Sequence, residues 1–176
     1  MIHFDQLILA TDPKQACDLL EIDFPQNAHF GSKTFYFSLD KHFGTSLPLI
    51  HLMPMNSSPL LHFSCLSQVN PSLASRGKRL ISATSLQLAI SHEEVAQELA
   101  RVLDLRPTDF VFLKSFSIPY SLFKVGCFNE VWQKAEAENI ILAGDYTHFP
   151  SLQAALSSGR LAVEKIIQGR QTDYNQ

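Results

Sequence analysis

The residues best suited to chemistry lie between Asn139 and Arg160, where a short apolar run meets a stretch of small side chains. Ile140 to Ala143 is apolar and half β-branched, and it stops at Gly144. Such a run is typical of a central strand of an α/β sheet, and ligands of these sheets bind beyond the strands' carboxyl ends. Gly144 allows close approach of the backbone, and Asp145 offers a carboxylate that accepts hydrogen bonds from hydroxyl groups. The pattern predicts a ligand-binding rim.

A helix is predicted directly after this rim. Ser151 follows Pro150 and is a good N-cap, and Gly169 is expected to end the helix. Residues at helical spacing are Leu152, Ala155, Leu156, Gly159, Val163, Ile166 and Ile167. The free N–H groups and the positive dipole end at the helix start suit a phosphate or an electron-rich ring edge. On spacing alone, an ordinary strand–helix unit with a capped helix remains open.

The motif LAGDYT followed by SLQAALSSGRLAVEKI resembles the C-terminal FAD-binding signature of the flavin amine oxidase and phytoene desaturase superfamily. This resemblance implies that FAD is the cofactor. It implies that Gly144 and Asp145 contact the ribityl–pyrophosphate linkage. It further implies that Ser151, Leu152 and Ala155 lie beside the isoalloxazine ring.

Three other segments match the same superfamily in chain order. FDQLILATDPKQACDLL resembles the strand that returns into the FAD domain, and NPSLASRGKRLISAT resembles a hairpin of the substrate domain. FSIPYSLF is similar to the stretch before the final strand, which implies that Tyr120 faces the substrate cavity. In such enzymes the flavin carries the redox chemistry, so the resemblance assigns no catalytic side chain.

The chain departs from the superfamily in lacking the G-x-G-x-x-G loop that holds the ADP part of FAD. Its glycines stand at Gly31, Gly44, Gly77, Gly126, Gly144, Gly159 and Gly169. The chain therefore resembles the C-terminal half of an FAD-dependent oxidoreductase. By itself this half is expected to bind FAD poorly. It is expected to dehydrogenate an apolar or amine substrate together with a second chain that carries the missing half. Two alternatives are a non-catalytic module that binds an apolar ligand or a protein, and a decayed or mis-started gene product.

The remaining elements predict a mixed α/β fold with two lobes. Residues 1–27 and 136–170 are expected to form part of a Rossmann-like FAD-binding lobe, residues 28–135 an antiparallel-sheet substrate lobe, and residues 171–176 a tail. Strands are predicted at 4–10, 33–39, 47–53, 60–69, 78–86 and 110–118, and helices at 13–20 and 91–105. The second helix has a capping box formed by Ser91 and Glu94.

Composition excludes several other classes. A net charge of −3, with no basic cluster longer than Lys78-Arg79, argues against a nucleic-acid partner. The seven histidines show no pair at ligand spacing, which argues against a metal site, and His148 is expected to face solvent. The three cysteines are expected to be small buried residues. The N-terminal residues lack a basic region and meet Asp5 too early for a signal peptide, so none is expected. Prolines break the one charge-free stretch, and a cytoplasmic protein without a membrane-spanning segment is therefore predicted.

Overall fold

The computed structural model describes residues 3–25, 28–40, 49–54, 56–124 and 126–173. Its strands are β1 (Leu7–Leu9), β2 (His29–Leu39), β3 (Ile50–Leu52), β4 (His62–Cys65), β5 (Arg79–Ser85), β6 (Phe110–Phe123) and β7 (Ile140–Leu142). Its helices are α1 (Pro13–Leu19), α2 (Leu66–Val69), α3 (His92–Leu103), α4 (Asn129–Ala137) and α5 (Leu152–Asp173). Short 3₁₀ turns occur at Pro71–Leu73, Pro107–Asp109 and Asp145–Thr147. The fold is mixed α/β, as predicted.

The contacts divide the chain into two compact units. Unit 1 comprises Met1–Phe30 and Leu122–Gln176, and unit 2 comprises Gly31–Ser121. These bounds place the whole of α4 in unit 1, whereas residues 129–135 of this helix are predicted to belong to the 28–135 lobe.

Unit 1 is built on a parallel pair of strands. β1 pairs with β7 in a register that joins Leu7 to Ile140 and Leu9 to Leu142. Asp12 caps the following helix α1 by accepting a hydrogen bond from the Gln15 backbone N–H at 3.1 Å. The core of this unit consists of Leu9, Ala16, Cys17, Leu20, Ala28, Phe123, Phe128, Val131, Ala135, Ile140, Leu142 and Tyr146. A short strand pair with helices packed on it therefore supports the predicted rim.

Unit 2 is an antiparallel sheet with a helix on one face. The strand order is β3-β4-β5-β2-β6. One face buries Phe35, Phe37 and Ile81, which share a cluster with Val95 and Leu99 of α3. The predicted capping box of α3 is confirmed, since the Ser91 side chain accepts from the Glu94 N–H and the Glu94 carboxylate accepts from the Ser91 N–H. Alternate side chains of the strands are apolar and point to one face of the sheet, and α3 packs on that face.

Several boundaries differ from the prediction; β2, for example, begins at His29 rather than at residue 33. The predicted strand 60–69 ends at Cys65, because Leu66–Val69 turns into α2 and places Ser67 Oγ where it accepts from the Leu80 N–H at 3.1 Å. β6 runs five residues beyond its predicted end, to Phe123. α5 does not stop at Gly169 but continues to Asp173, since a helix tolerates an interior glycine at a cost of about 1 kcal/mol. Residues 47–48 of a predicted strand and 174–176 of the predicted tail lie outside the described residues.

The cysteines divide by environment. Cys17 and Cys65 are buried, as predicted, and all three thiols are free. The prediction was wrong for Cys127, which is exposed because it lies in the turn at Gly126 that leads into α4. None of the described helices is both long enough and apolar enough to cross a membrane.

Candidate functional site at the carboxyl end of the parallel strands

The carboxyl ends of β1 and β7 lie side by side. Their parallel register continues beyond the strands, since the Ala143 N–H donates to the Leu9 carbonyl at 2.9 Å. The segments that follow, Thr11-Asp12 after β1 and Gly144-Asp145 after β7, therefore leave the pair at one edge. The predicted rim residues are in this way placed at the end of a strand pair.

Gly144 is held by hydrogen bonds on both sides of its backbone. Its N–H donates to Ser158 Oγ at 2.8 Å, and its carbonyl accepts from Thr147 Oγ1 at 2.7 Å. A Cβ at this position would stand 2.4 Å from the Tyr146 ring. The close approach that requires a glycine here is therefore to Tyr146. The predicted contact between Gly144 and a cofactor stays a prediction.

Tyr146 anchors the turn after β7 in the core of unit 1. It is 6% exposed and packs edge-on against Phe123 and Phe128. Burial, followed by the nearby Cys17, Asp12 and Asp145, raises the pKa of Tyr146 to about 12. Its hydroxyl has no hydrogen-bond partner among the described residues. The packed ring thus holds the turn after β7 in place, and the Tyr146 hydroxyl remains protonated at neutral pH.

The start of α5 is capped as predicted. Ser151 Oγ accepts from the Ala154 N–H at 3.0 Å, and the Ser151 carbonyl accepts from the Ala155 N–H at 3.0 Å. The first N–H groups of a helix lack intrahelical partners, so those of Leu152 and Gln153 remain directed outward. Leu152 itself is 79% exposed. The helix start therefore offers backbone donors beside an uncovered apolar side chain.

Asp145 offers the complementary acceptor. Its side chain is half-buried, and it has no hydrogen-bond or ion-pair partner within the described part of the chain. A carboxylate with two free oxygens can accept from a pair of hydroxyls. Asp145, Leu152 and the helix start thus supply a free acceptor, an exposed apolar side chain and backbone donors, which are the groups that the ribityl chain and a ring edge of a flavin require. Their contact with a flavin stays a prediction. Nothing in the sequence supplies the glycine loop that would hold the ADP part.

Ser158 supports this site and is not among the predicted site residues. Its hydroxyl accepts from the Gly144 N–H and donates to the Ala155 carbonyl at 2.7 Å. The residue is 3% exposed. Its position on the same helical face as Ala154 and Ala162 could have indicated this role. A polar residue on a buried face needs a hydrogen-bond partner.

The other sequence-derived candidates lie elsewhere. His148 is exposed, as predicted, with Nδ1 3.0 Å from Thr147 Oγ1. Tyr120 lies on β6 in unit 2 and is 38% exposed, and its predicted contact with a substrate stays a prediction. Among the residues that the structure describes, no group of three or more His, Cys, Asp or Glu side chains is placed to hold a metal ion.

A hollow of about 440 Å³ runs beside β7 in unit 1. Its walls include Trp132 of α4 and Leu161 and Lys165 of α5, and its floor includes Ile141 and Leu142. Adjacent residues of one strand point to opposite faces, so a hollow that touches both lies along the strand's edge. β1 and β7 form a sheet of two strands in the described chain, and the hollow follows the edge of β7 that β1 does not cover.

No family model and no curated protein matches the chain. Among solved structures, it is similar to an Exiguobacterium protein described as a protoporphyrinogen oxidase, with a TM-score of 0.65 and 14% identity over 92% of this chain and 41% of that one. It is similar to a reduced UDP-galactopyranose mutase, with a TM-score of 0.59 and 11% identity over 82% of this chain and 37% of that one. An oxidoreductase from Methanosarcina mazei matches with a TM-score of 0.51 and 13% identity over 92% of this chain and 43% of that one. The chain thus spans about two fifths of the length of these proteins, and the fold it shares with them is one found in oxidoreductases.

Proposed function

We propose that this chain is one part of an FAD-dependent oxidoreductase and acts with a second chain that carries the ADP-binding half. The observation that carries the proposal is the unpartnered Asp145 carboxylate at the end of a parallel strand pair, beside the capped start of α5. The sequence resemblance and the oxidoreductase fold support it.

Each rim residue has a separate role in this proposal. Asp145 accepts hydrogen bonds from ribityl hydroxyls, and the turn at Gly144 fixes the height of that carboxylate above the strand. Ser151 sets the direction of the helix start, while Leu152 and Ala155 cover a ring edge. A flavin bound by these residues would supply the hydride acceptor for dehydrogenation of an apolar or amine substrate.

The open edge of β7 is where a second chain would attach. Backbone groups of Asn139 and Ala143 bond to β1, and in a parallel strand alternate residues face opposite sides. The N–H and C=O groups of Ile140 and Leu142 therefore face the uncovered edge and the hollow beside it. A strand of the partner added there would satisfy these groups and extend the sheet.

Flavin retention tests the proposal directly. The chain would be purified alone and after co-expression with a protein that carries G-x-G-x-x-G between a strand and a helix. We expect flavin absorbance to stay with the co-purified pair through desalting. Asp145→Asn should lower the retained flavin, whereas Asp23→Asn, a matched exposed carboxylate in unit 1, should not. If neither preparation carries flavin, the proposal fails.

Tyr120 is proposed as a substrate contact. Its exposure on β6 supports this role. In a flavin-loaded pair, Tyr120→Phe should raise KM for the substrate and leave the flavin content unchanged. Loss of flavin in that variant would instead indicate a structural role.

A non-catalytic module that binds an apolar ligand is the second candidate. β6 favours it, because Val111, Leu113, Phe116 and Ile118 are each at least half exposed on this strand. This function predicts saturable binding of an isoprenoid or lipid by the chain alone, with no dependence on flavin. Asp145→Ala would leave that binding unchanged, which separates the two candidates.

A further inference from the structure

The loop between α2 and β5 in unit 2 borders a hollow of about 580 Å³ that is open to solvent. Its polar lining consists of three hydroxyl residues, Ser67, Ser72 and Ser75, and three cations, Arg76, Lys78 and Arg79. The site at Gly144 and Asp145 is in unit 1, so this hollow belongs to neither the flavin rim nor the edge of β7.

The charge of the hollow has one sign. No carboxylate is among its described lining residues, although the whole chain carries a net charge of −3. Asp40 forms an ion pair with Lys78 Nζ at 3.4 Å, but both side chains are exposed. An exposed pair of this kind contributes little and is readily exchanged for a better anion. A concave surface lined by cations attracts anions to the space beside it.

The lining is held in place by its own backbone. The Lys78 N–H donates to the Ser75 carbonyl at 2.9 Å, which closes a turn with Gly77 at φ +81°. Ser72 is fixed by donating from both its N–H and its hydroxyl to Asn70 Oδ1. The cations are therefore displayed from a closed turn rather than from a long open loop.

Two donors in the lining remain available. The Ser75 hydroxyl and the Arg76 guanidinium have no hydrogen-bond partner within the part of the chain that the structure describes. A guanidinium binds phosphate through two parallel N–H donors, and lysine adds a point charge. This donor set matches an anion with several oxygens and about two charges better than a single carboxylate.

We propose that the hollow bounded by Ser75, Arg76, Lys78 and Arg79 binds the phosphate groups of a small phosphorylated molecule. The volume of about 580 Å³ leaves room for a group attached to the phosphate. The three cations lie within four residues, which is too short a track for a nucleic-acid backbone.

Calorimetric titration of the whole chain with inorganic pyrophosphate tests the site. We expect saturable binding of one pyrophosphate per chain, weakened about tenfold or more in the double variant Arg76→Gln/Lys78→Gln. Arg160→Gln, which removes a surface cation in unit 1, is the matched control and should bind as the unaltered chain does. Thermal unfolding of each variant establishes that it is folded.

Three outcomes would overturn the proposal. The first is no saturable heat with pyrophosphate, and the second is equal binding by the double variant and the unaltered chain. The third is binding of acetate as tight as binding of pyrophosphate, which would indicate a general anion surface. None of these measurements involves flavin or a second chain, so their result is independent of the proposed oxidoreductase function.

Discussion

The Gly144 backbone N–H donates to the hydroxyl of Ser158, fourteen residues further along, at 2.8 Å. The same hydroxyl donates to the Ala155 carbonyl within α5. One buried serine thus joins the turn after β7 to the second turn of the helix. The position of Asp145 relative to the helix start depends on this connection.

Ser158→Ala removes that connection. The Gly144 N–H would lose its buried acceptor, and an unsatisfied buried group costs about 1–3 kcal/mol. We expect a loss of that size in the free energy of unfolding, measured by urea titration. Ser157→Ala, a neighbouring serine on a less buried face, is the control and should change stability by less than about 0.5 kcal/mol. Equal losses in both variants would contradict the connecting role of Ser158.

Gly144→Ala places a Cβ 2.4 Å from the Tyr146 ring. The ring is enclosed by Phe123 and Phe128 and cannot move away freely, so overpacking should destabilise unit 1 by about 1–3 kcal/mol. Gly159→Ala is the matched control, because nothing lies within 4 Å of a Cβ added there. That helical substitution should stabilise by about 0.5–1 kcal/mol. Gly144→Ala should therefore cost less in a Tyr146→Leu background than in the unaltered chain, and an equal cost in both backgrounds would exclude the clash as its cause.

The strand, the turn and the helix start that form the rim could be predicted from sequence because their signals are local. An apolar run, a glycine, an acidic residue and a serine cap each act within a few residues. The partners of Gly144 could not be predicted, since Ser158 and Tyr146 meet it only after β7 and α5 pack together. The turn of the chain at Leu66 was missed for the same reason. The apolar residues around Leu66 have the pattern of a strand. The hydrogen bond from the Leu80 N–H to Ser67 Oγ, which holds α2 in place, is a tertiary contact that this local pattern does not contain.

The loss of stability at alkaline pH should depend on the ionisation of the buried Tyr146. An unfolded tyrosine loses its proton near pH 10, whereas burial raises the pKa of Tyr146 to about 12. The folded state therefore retains a proton that the unfolded state releases. This contribution to stability is fully present below pH about 10 and is lost as the pH rises towards 12, by about 1–3 kcal/mol.

Tyr146→Phe removes both the titrating group and a hydroxyl without a partner. At pH 7 we expect the variant to be as stable as the unaltered chain or slightly more stable. Its urea midpoint should fall less steeply between pH 9 and pH 11.5. Tyr36→Phe, which changes a half-buried tyrosine in unit 2, is the control. An unchanged alkaline slope in Tyr146→Phe would contradict the assignment of that slope to Tyr146.

The outer side of α5 carries an uncovered apolar stripe. Leu152, Leu156, Val163 and Ile167 are 79%, 66%, 49% and 52% exposed, and they follow one another at helical spacing. The opposite side buries Ala154, Ser158 and Ala162 against unit 1. A contiguous apolar stripe on an exposed helix lowers solubility unless another surface covers it.

The isolated chain should therefore self-associate through this stripe, and the double variant Leu152→Gln/Leu156→Gln should reduce the association. Sedimentation velocity over a concentration series measures the shift towards monomer. Leu73→Gln, which changes a half-exposed leucine of unit 2, is the control and should leave the association unchanged. A partner chain that covers α5 would suppress the association of the unaltered chain and have little effect on the double variant. An unaltered chain that stays monomeric at every concentration would show that the stripe needs no cover, and would count against a missing partner on that side of α5.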